Sequence, residues 1–282
     1  SVLQDANFGT LWVGANRPQE ASEYEHLFVS ISMFNSRFDE FFALLDSDFY
    51  DYIVIDEAHH SQADSYRKLF DHFQPQLLVG LTATPERMDG KDLRPDFGNR
   101  ISAEIRLPQA LQAGLLTPFQ YLCISDDTDL SDDSLWSGQK YNIERLADKL
   151  CAKTRAQLIV DALHKYLADE YTCRALCFCV NKRHADFMAE QLRLYGFNAQ
   201  SLTSDTPADE RKQLAKDLRE GTLHYLCVVD IFNEGVDIPE VDTVLFLRPT
   251  ESLTIFLQQL GRGLRLSAGK TELTVLDFVA QA

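Results

Sequence analysis

Tyr52-Ile53-Val54-Ile55-Asp56-Glu57-Ala58-His59-His60 opens as a strand and ends in acid. The short run of β-branched and aromatic residues reads as a buried strand. Two adjacent carboxylates follow at its C-terminal end, where open α/β sheets place their chemistry. Ser61 to Phe73 then carries Tyr66, Leu69, Phe70 and Phe73 at helical spacing, so the unit is strand, acidic turn, helix. Asp56 is placed to hold a divalent metal, directly or through water, and Glu57 to orient or deprotonate a water beside it. A solvated acidic turn after a strand is the plain alternative.

Working outward from this unit, Phe8 to Gly14 and Leu27 to Ile31 read as short strands. Ser32 and Asn35 offer caps for a helix whose Phe34, Phe38, Phe41, Phe42 and Leu45 line one face as core. Downstream, Leu77 to Leu81 is another buried strand, closed by Thr82-Ala83-Thr84-Pro85. Residues 88 to 100 read as a loop, and Pro108 to Ala113 as a short helix stopped by Gly114. The acidic residues 125 to 138 lack the glycine and terminal glutamate of a calcium loop and read as a solvated connection. These signals predict a first domain over 1–124, a linker over 125–149 and a second domain over 150–282.

The second half repeats the strand-then-helix pattern. Arg174 to Val180, Ala199 to Thr203, Tyr225 to Val229, Thr243 to Leu247 and Leu273 to Phe278 are strands. Helices open at Asn181, at Thr206-Pro207 and at Ser252. Such alternation predicts an α/β chain whose mostly parallel sheet is covered on both faces.

At 282 residues the chain is long enough for two cores. No apolar run approaches membrane-spanning length and no signal pattern opens the sequence, so no membrane role is expected. With Ser at position 1, the chain reads as a segment of something longer. Its six cysteines include no Cys-x-x-Cys pair, which favours a reducing, cytoplasmic setting and argues against zinc. Net charge is −16, from 27 basic and 43 acidic residues. Phosphate binding usually leaves a basic footprint, so this chain alone is expected to bind nucleic acid weakly.

Four stretches stand out in order: Asp56-Glu57-Ala58-His59, Thr82-Ala83-Thr84, Val229 to Asp237 with Glu234-Gly235-Val236-Asp237, and Gln258-Gln259-Leu260-Gly261-Arg262-Gly263-Leu264-Arg265. Together they resemble the motor core of superfamily 2 helicases, closest to the DEAH-type modules of type III restriction enzyme helicase subunits. Gly80-Leu-Thr-Ala-Thr-Pro-Glu-Arg-Met-Asp-Gly90 looks particularly like that branch. The resemblance implies two RecA-like domains, ATP and Mg2+ as cofactors, and translocation on nucleic acid, with double-stranded DNA as partner. A nuclease or other domains would accompany it in the parent protein. It gives Asp56 the metal, Glu57 the attacking water, and Arg262 and Arg265 the γ-phosphate from across an interdomain cleft. Gly235, Asp237 and Gln258 would touch the nucleotide; His59, Thr82 and Thr84 would couple hydrolysis to movement. Ser30, Ser32, Asn181, Arg183, Thr203 and Ser204 are its candidate phosphate-backbone contacts, each with capping or turn formation as the alternative.

One departure matters. Such a motor needs Gly-x-x-x-x-Gly-Lys-Ser/Thr before Asp56, and residues 1 to 55 contain none. Gly263 to Thr271 comes near, with one residue too many between the glycines, and reads as a polar turn. The first domain is therefore expected to be incomplete at its N-terminus and the chain to be inactive alone. A smaller departure is Val229, where many relatives have Thr. Two other readings stay open: a non-catalytic binding or scaffold module, and a different α/β enzyme such as a glycosyltransferase, which would leave the arginine pair unexplained.

Overall fold

The computed structural model describes residues 8–12, 17–61, 63–82, 94–138, 140–229, 238–249 and 252–281. The chain divides into two units, Ser1–Glu104 and Ile105–Ala282.

In the first unit, β1 (Thr10–Trp12) pairs in parallel with β2 (Leu27–Val29). The predicted aromatic helix is two pieces, α1 (Ile31–Ser36) and α2 (Phe38–Leu44), broken at Arg37. Its cap is Ser30, whose hydroxyl accepts from Met33 N–H, and not Ser32 or Asn35. Phe34 and Phe41 are buried with Trp12 and Phe73, but the break turns Phe42 outwards, 59% exposed. Next come β3 (Tyr52–Ile55), α3 (Asp64–His72) and β4 (Leu77–Gly80), with β3 and β4 parallel. Parallel strands normally bury both faces. Here Ile53 and Ile55 turn inward, while Tyr52 and Val54 on the alternate face are 69% and 60% exposed.

The second unit opens with α4 (Leu107–Gln112), followed by β5 (Phe119–Asp129) and a small hairpin of β6 (Trp136–Ser137) and β7 (Lys140–Tyr141). Then come α5 (Ile143–Leu150), α6 (Lys153–Tyr166), β8 (Ala175–Phe178), α7 (Lys182–Leu194), β9 (Ala199–Leu202) and α8 (Ala208–Glu220). Last are β10 (Tyr225–Val228), β11 (Thr243–Phe246), α9 (Leu253–Gly263) and β12 (Leu273–Gln281). The six-stranded sheet runs β5-β12-β11-β8-β10-β9, and its pairs are parallel. Alternation along the strands divides the core cleanly. Ala175, Cys177, Cys227 and Leu245 meet α6 and α7 on one face. Leu176, Phe178, Val228 and Phe246 meet α8 and α9 on the other. Among the described residues no helix is long and apolar enough to cross a membrane.

The structure moves the boundary. The break falls after Glu104 rather than at 124, and residues 125–149 are not a solvated linker. Residues 119–129 form the edge strand β5, registered on β12 from Phe119↔Leu273 onward. Leu122 and Ile124 face the core, and Asp126 takes the next inward position. A buried carboxylate there is tolerable only because Arg155 of α6 meets it, Nε to Oδ2 at 2.5 Å, with both side chains about fully buried at 2% and 3% exposure. Thr128 adds donations from N–H and hydroxyl to Asp126 Oδ1. Leu130 and Leu135 are then buried against Leu146 and Leu150 of α5.

Removing one partner of this pair strands the other charge in the core. Arg155→Met should therefore lower the stability of the second unit by roughly 3–5 kcal/mol, read by denaturant unfolding. The double variant Asp126→Leu/Arg155→Met should recover most of that loss. A single variant as stable as the parent chain would mean the pair does not hold β5 to α6.

Candidate functional site

The acidic turn is built by the ends of β3 and β4 together. Leu81 N–H donates to Ile55 O at 2.8 Å, and Ala58 N–H donates to Leu81 O at 2.8 Å, so the two strand ends are stitched beyond the ladder. Glu57 sits between these bonds in the left-handed region, φ 49°. For a residue with a Cβ that conformation costs about 1 kcal/mol or more and persists only when the surroundings impose it. Its N–H donates to Asp56 Oδ1 at 2.9 Å.

His59 joins the two sequence motifs. Its Nδ1 lies 3.2 Å from Glu57 Oε2 and 3.1 Å from Thr82 Oγ1, with the imidazole nearly buried. The carboxylate that would act on water and the hydroxyl at the end of β4 therefore share one ring nitrogen. Thr84 lies outside the described residues. Asp56 is exposed. A hard carboxylate of this kind suits Mg2+, which typically takes one or two protein carboxylates and completes its shell with water and phosphate oxygens. Among the described residues no group of three metal-ligating side chains forms a closed site.

In the second unit the predicted residues separate to opposite edges of the sheet. Asn181 and Arg183 follow β8, and Thr203 and Ser204 follow β9, all at the C-terminal edge. Helix α9 instead runs back to the N-terminal edge, where Gly263 lies against Leu273 and Val244 near the starts of β12 and β11. A four-residue strand is about 13 Å long, and that length separates the two groups. Gln258 and Arg262, four apart, share one face of α9, while Leu260 buries the other; Arg265 follows the helix, directly after its C-cap Leu264. Gly235 and Asp237 lie outside the described residues.

Several candidate nucleic-acid contacts serve local structure. Ser30 caps α1, and Ser32 is an exposed position within it. Asn181 Oδ1 accepts from His184 N–H at the start of α7, and its Nδ2 donates to Glu144 at 3.1 Å. Arg183 pairs with Asp148 of α5 at 2.6 Å, both well exposed; such a pair contributes little and exchanges readily. Thr203 is buried and its hydroxyl accepts from Asp205 N–H at 3.3 Å, closing a turn, whereas Ser204 is exposed.

A residue the sequence did not single out is Thr117. It is 1% exposed, its N–H donates to Leu264 O at 2.8 Å and its hydroxyl to Arg265 O at 2.9 Å. No local pattern marks it, because the contact spans 148 positions.

Comparison with known proteins finds two families in order along the chain. Residues 1–87 match "Type III restriction enzyme, res subunit", and residues 141–267 match "Helicase conserved C-terminal domain". A Saccharomyces cerevisiae protein named as a candidate ATP-dependent helicase, IRC3, is 30% identical over 234 residues, covering 80% of this chain and 34% of that protein. The fragment structure of a candidate HsdR subunit of a type I restriction enzyme from Vibrio vulnificus YJ016 superposes with a TM-score of 0.68. It is 25% identical and covers 90% of this chain and 47% of that one. The ATP-dependent Type ISP restriction-modification enzyme LlaBIII, bound to DNA, superposes with a TM-score of 0.63 at 18% identity, over 91% of this chain and 20% of that one. This chain spans less than half the length of each.

Proposed function

We propose, for a chain that belongs to the superfamily 2 helicases, that it carries the metal, base and arginine groups of an ATP-driven translocase acting on double-stranded DNA. The observation that carries this reading is His59, which meets both Glu57 and Thr82 at the joined ends of β3 and β4. A solvated acidic turn has no use for a strained glutamate tied through a nearly buried histidine to the neighbouring strand.

Each residue then has one task. Asp56 would hold Mg2+, which supplies charge neutralisation on the phosphates when bound. Glu57 accepts a proton from the attacking water. Arg262 and Arg265 present positive charge to the transferring phosphoryl group. His59 and Thr82 carry the state of that site to the end of β4. Gln258, with Gly235 and Asp237, contacts the nucleotide. Ser204 and Arg183, at the opposite edge of the second sheet, remain the best placed of the backbone contacts, since Arg183 can exchange Asp148 for a phosphate.

Residues 1 to 55 carry no Gly-x-x-x-x-Gly-Lys-Ser/Thr with which to cradle phosphates. The exposed alternate face of β3, with Tyr52 and Val54, supports a first sheet that a further strand–loop–helix unit completes. The 282-residue chain is accordingly expected to bind ATP weakly, with Kd above about 1 mM by calorimetry. A micromolar Kd would mean that the phosphates are held somewhere else in this chain. In a protein carrying the glycine-rich unit as well, duplex DNA should stimulate hydrolysis. Hydrolysis indifferent to every nucleic acid would favour the scaffold reading.

A further inference from the structure

Gly269-Lys270, the near-match to a phosphate loop, has a different occupation. The turn Ser267–Lys270 is closed by Lys270 N–H donating to Ser267 O at 3.2 Å, with Gly269 at φ +82°, where a side chain would be strained. This reversal brings the Lys270 ammonium back under the end of α9. There it donates to Gly263 O, to Arg265 O at 3.0 Å and to Pro239 O at 3.1 Å. An ammonium has three donors, and three backbone carbonyls take them. None is left over for a phosphate.

Those carbonyls matter because of what they belong to. A helix leaves its last carbonyls without intrahelical partners. Helix α9 ends at Leu264 in a right-handed conformation, without the left-handed glycine that usually folds a helix end back onto itself. Lys270 supplies that satisfaction from outside, where a cation also suits the negative end of the helix. Thr117 holds Leu264 O and Arg265 O from the other side. The third carbonyl, Pro239 O, stands two residues after Asp237. One side chain thus ties the arginine-bearing end of α9 to the segment that follows Gly235 and Asp237. Partial burial pushes the ammonium down to about 8, against the pull of Asp242 and Glu240, as expected for a cation that has traded water for carbonyl oxygens.

We infer that Lys270 is a positioning residue: it sets the placement of Arg262 and Arg265 relative to the backbone at Pro239, and does not itself touch the nucleotide. The inference rests on the reading of Arg262 and Arg265 as the phosphate-facing arginines. Misplacing a transition-state donor by about 1 Å can cost roughly 100-fold in rate, without weakening ground-state binding to match.

Two measurements test it. In the 282-residue chain, hydrogen exchange should rise in K270M at residues 239–242 and 261–266 while β8 and β10 stay protected, and K270R should restore most of the protection. Unchanged exchange at those segments overturns the tether, whatever any enzyme assay gives. In a protein joining this chain to a phosphate loop, K270M should lower kcat roughly 100-fold with KM little changed, and K270R should recover most of the rate. If K270M does not fold, K270Q, which keeps two donors on a shorter stem, takes its place with the same expected direction. R262A in parallel separates the two claims. Loss of hydrolysis in R262A with an unaltered kcat in K270M defeats the Lys270 inference and leaves the reading of α9 standing. An unaltered rate in R262A defeats the reading of α9, and the positioning role falls with it.

Discussion

Glu57→Gln, in a protein joining this chain to a phosphate loop, should turn over ATP roughly 10²–10⁴-fold more slowly while still binding it. The amide matches the carboxylate in shape, so the turn should survive the change. It keeps an oxygen for the His59 contact, and the left-handed backbone at φ 49° costs glutamine what it costs glutamate. What it cannot do is accept a proton from water. Asp56 is untouched, so the metal and the nucleotide should still bind. Steady-state hydrolysis and a nucleotide titration on the same preparation make the comparison. An undiminished rate would remove Glu57 from the role of base, and a parallel loss of binding would mean that the residue shapes the turn instead.

Arg262→Ala should cost more, about 10³–10⁵-fold in kcat, because a guanidinium aimed at developing phosphoryl charge has no substitute in water. The fold gives reason to expect a clean effect. Arg262 lies on the half-exposed face of α9, opposite Leu260 and Leu264, which do the packing. Leu260 and Leu264 keep their buried contacts in the variant, so the unit should still fold. The neighbouring position behaves differently. A Cβ on Gly263 would stand 2.7 Å from Leu273 Cδ1 and 3.1 Å from Val244 Cγ2, so Gly263→Val should displace the helix or unfold the unit. A stable Arg262→Ala variant with kcat within tenfold of the parent would exclude the finger role.

The strands and helices of the second unit could be read directly from the chain, because each carries its own punctuation. Asn181 caps α7 as its position before the helix predicted, and β8, β10 and β11 are apolar runs bounded by polar turns. The acid after β3 and the arginines of α9 were equally visible, since motif spacing is a local property. Strand β5 was not. Its inward positions run Leu122, Ile124, Asp126, and the aspartate together with the acidic residues around it gives the composition of a solvated connection. Only Arg155, 29 positions on, turns that carboxylate into a core residue, and no window of sequence short enough to show alternation contains both. The break of the aromatic helix at Arg37 likewise depends on which phenylalanines find Trp12 and Phe73. Lys270 is the sharpest case. Its sequence neighbours come near a phosphate-loop pattern and read as a polar turn, and its partners are the backbone carbonyls of Pro239, Gly263 and Arg265, a group that every residue carries alike. Local pattern records what a segment prefers; which charge is neutralised, and which carbonyls an ammonium meets, is settled only when distant segments close on one another.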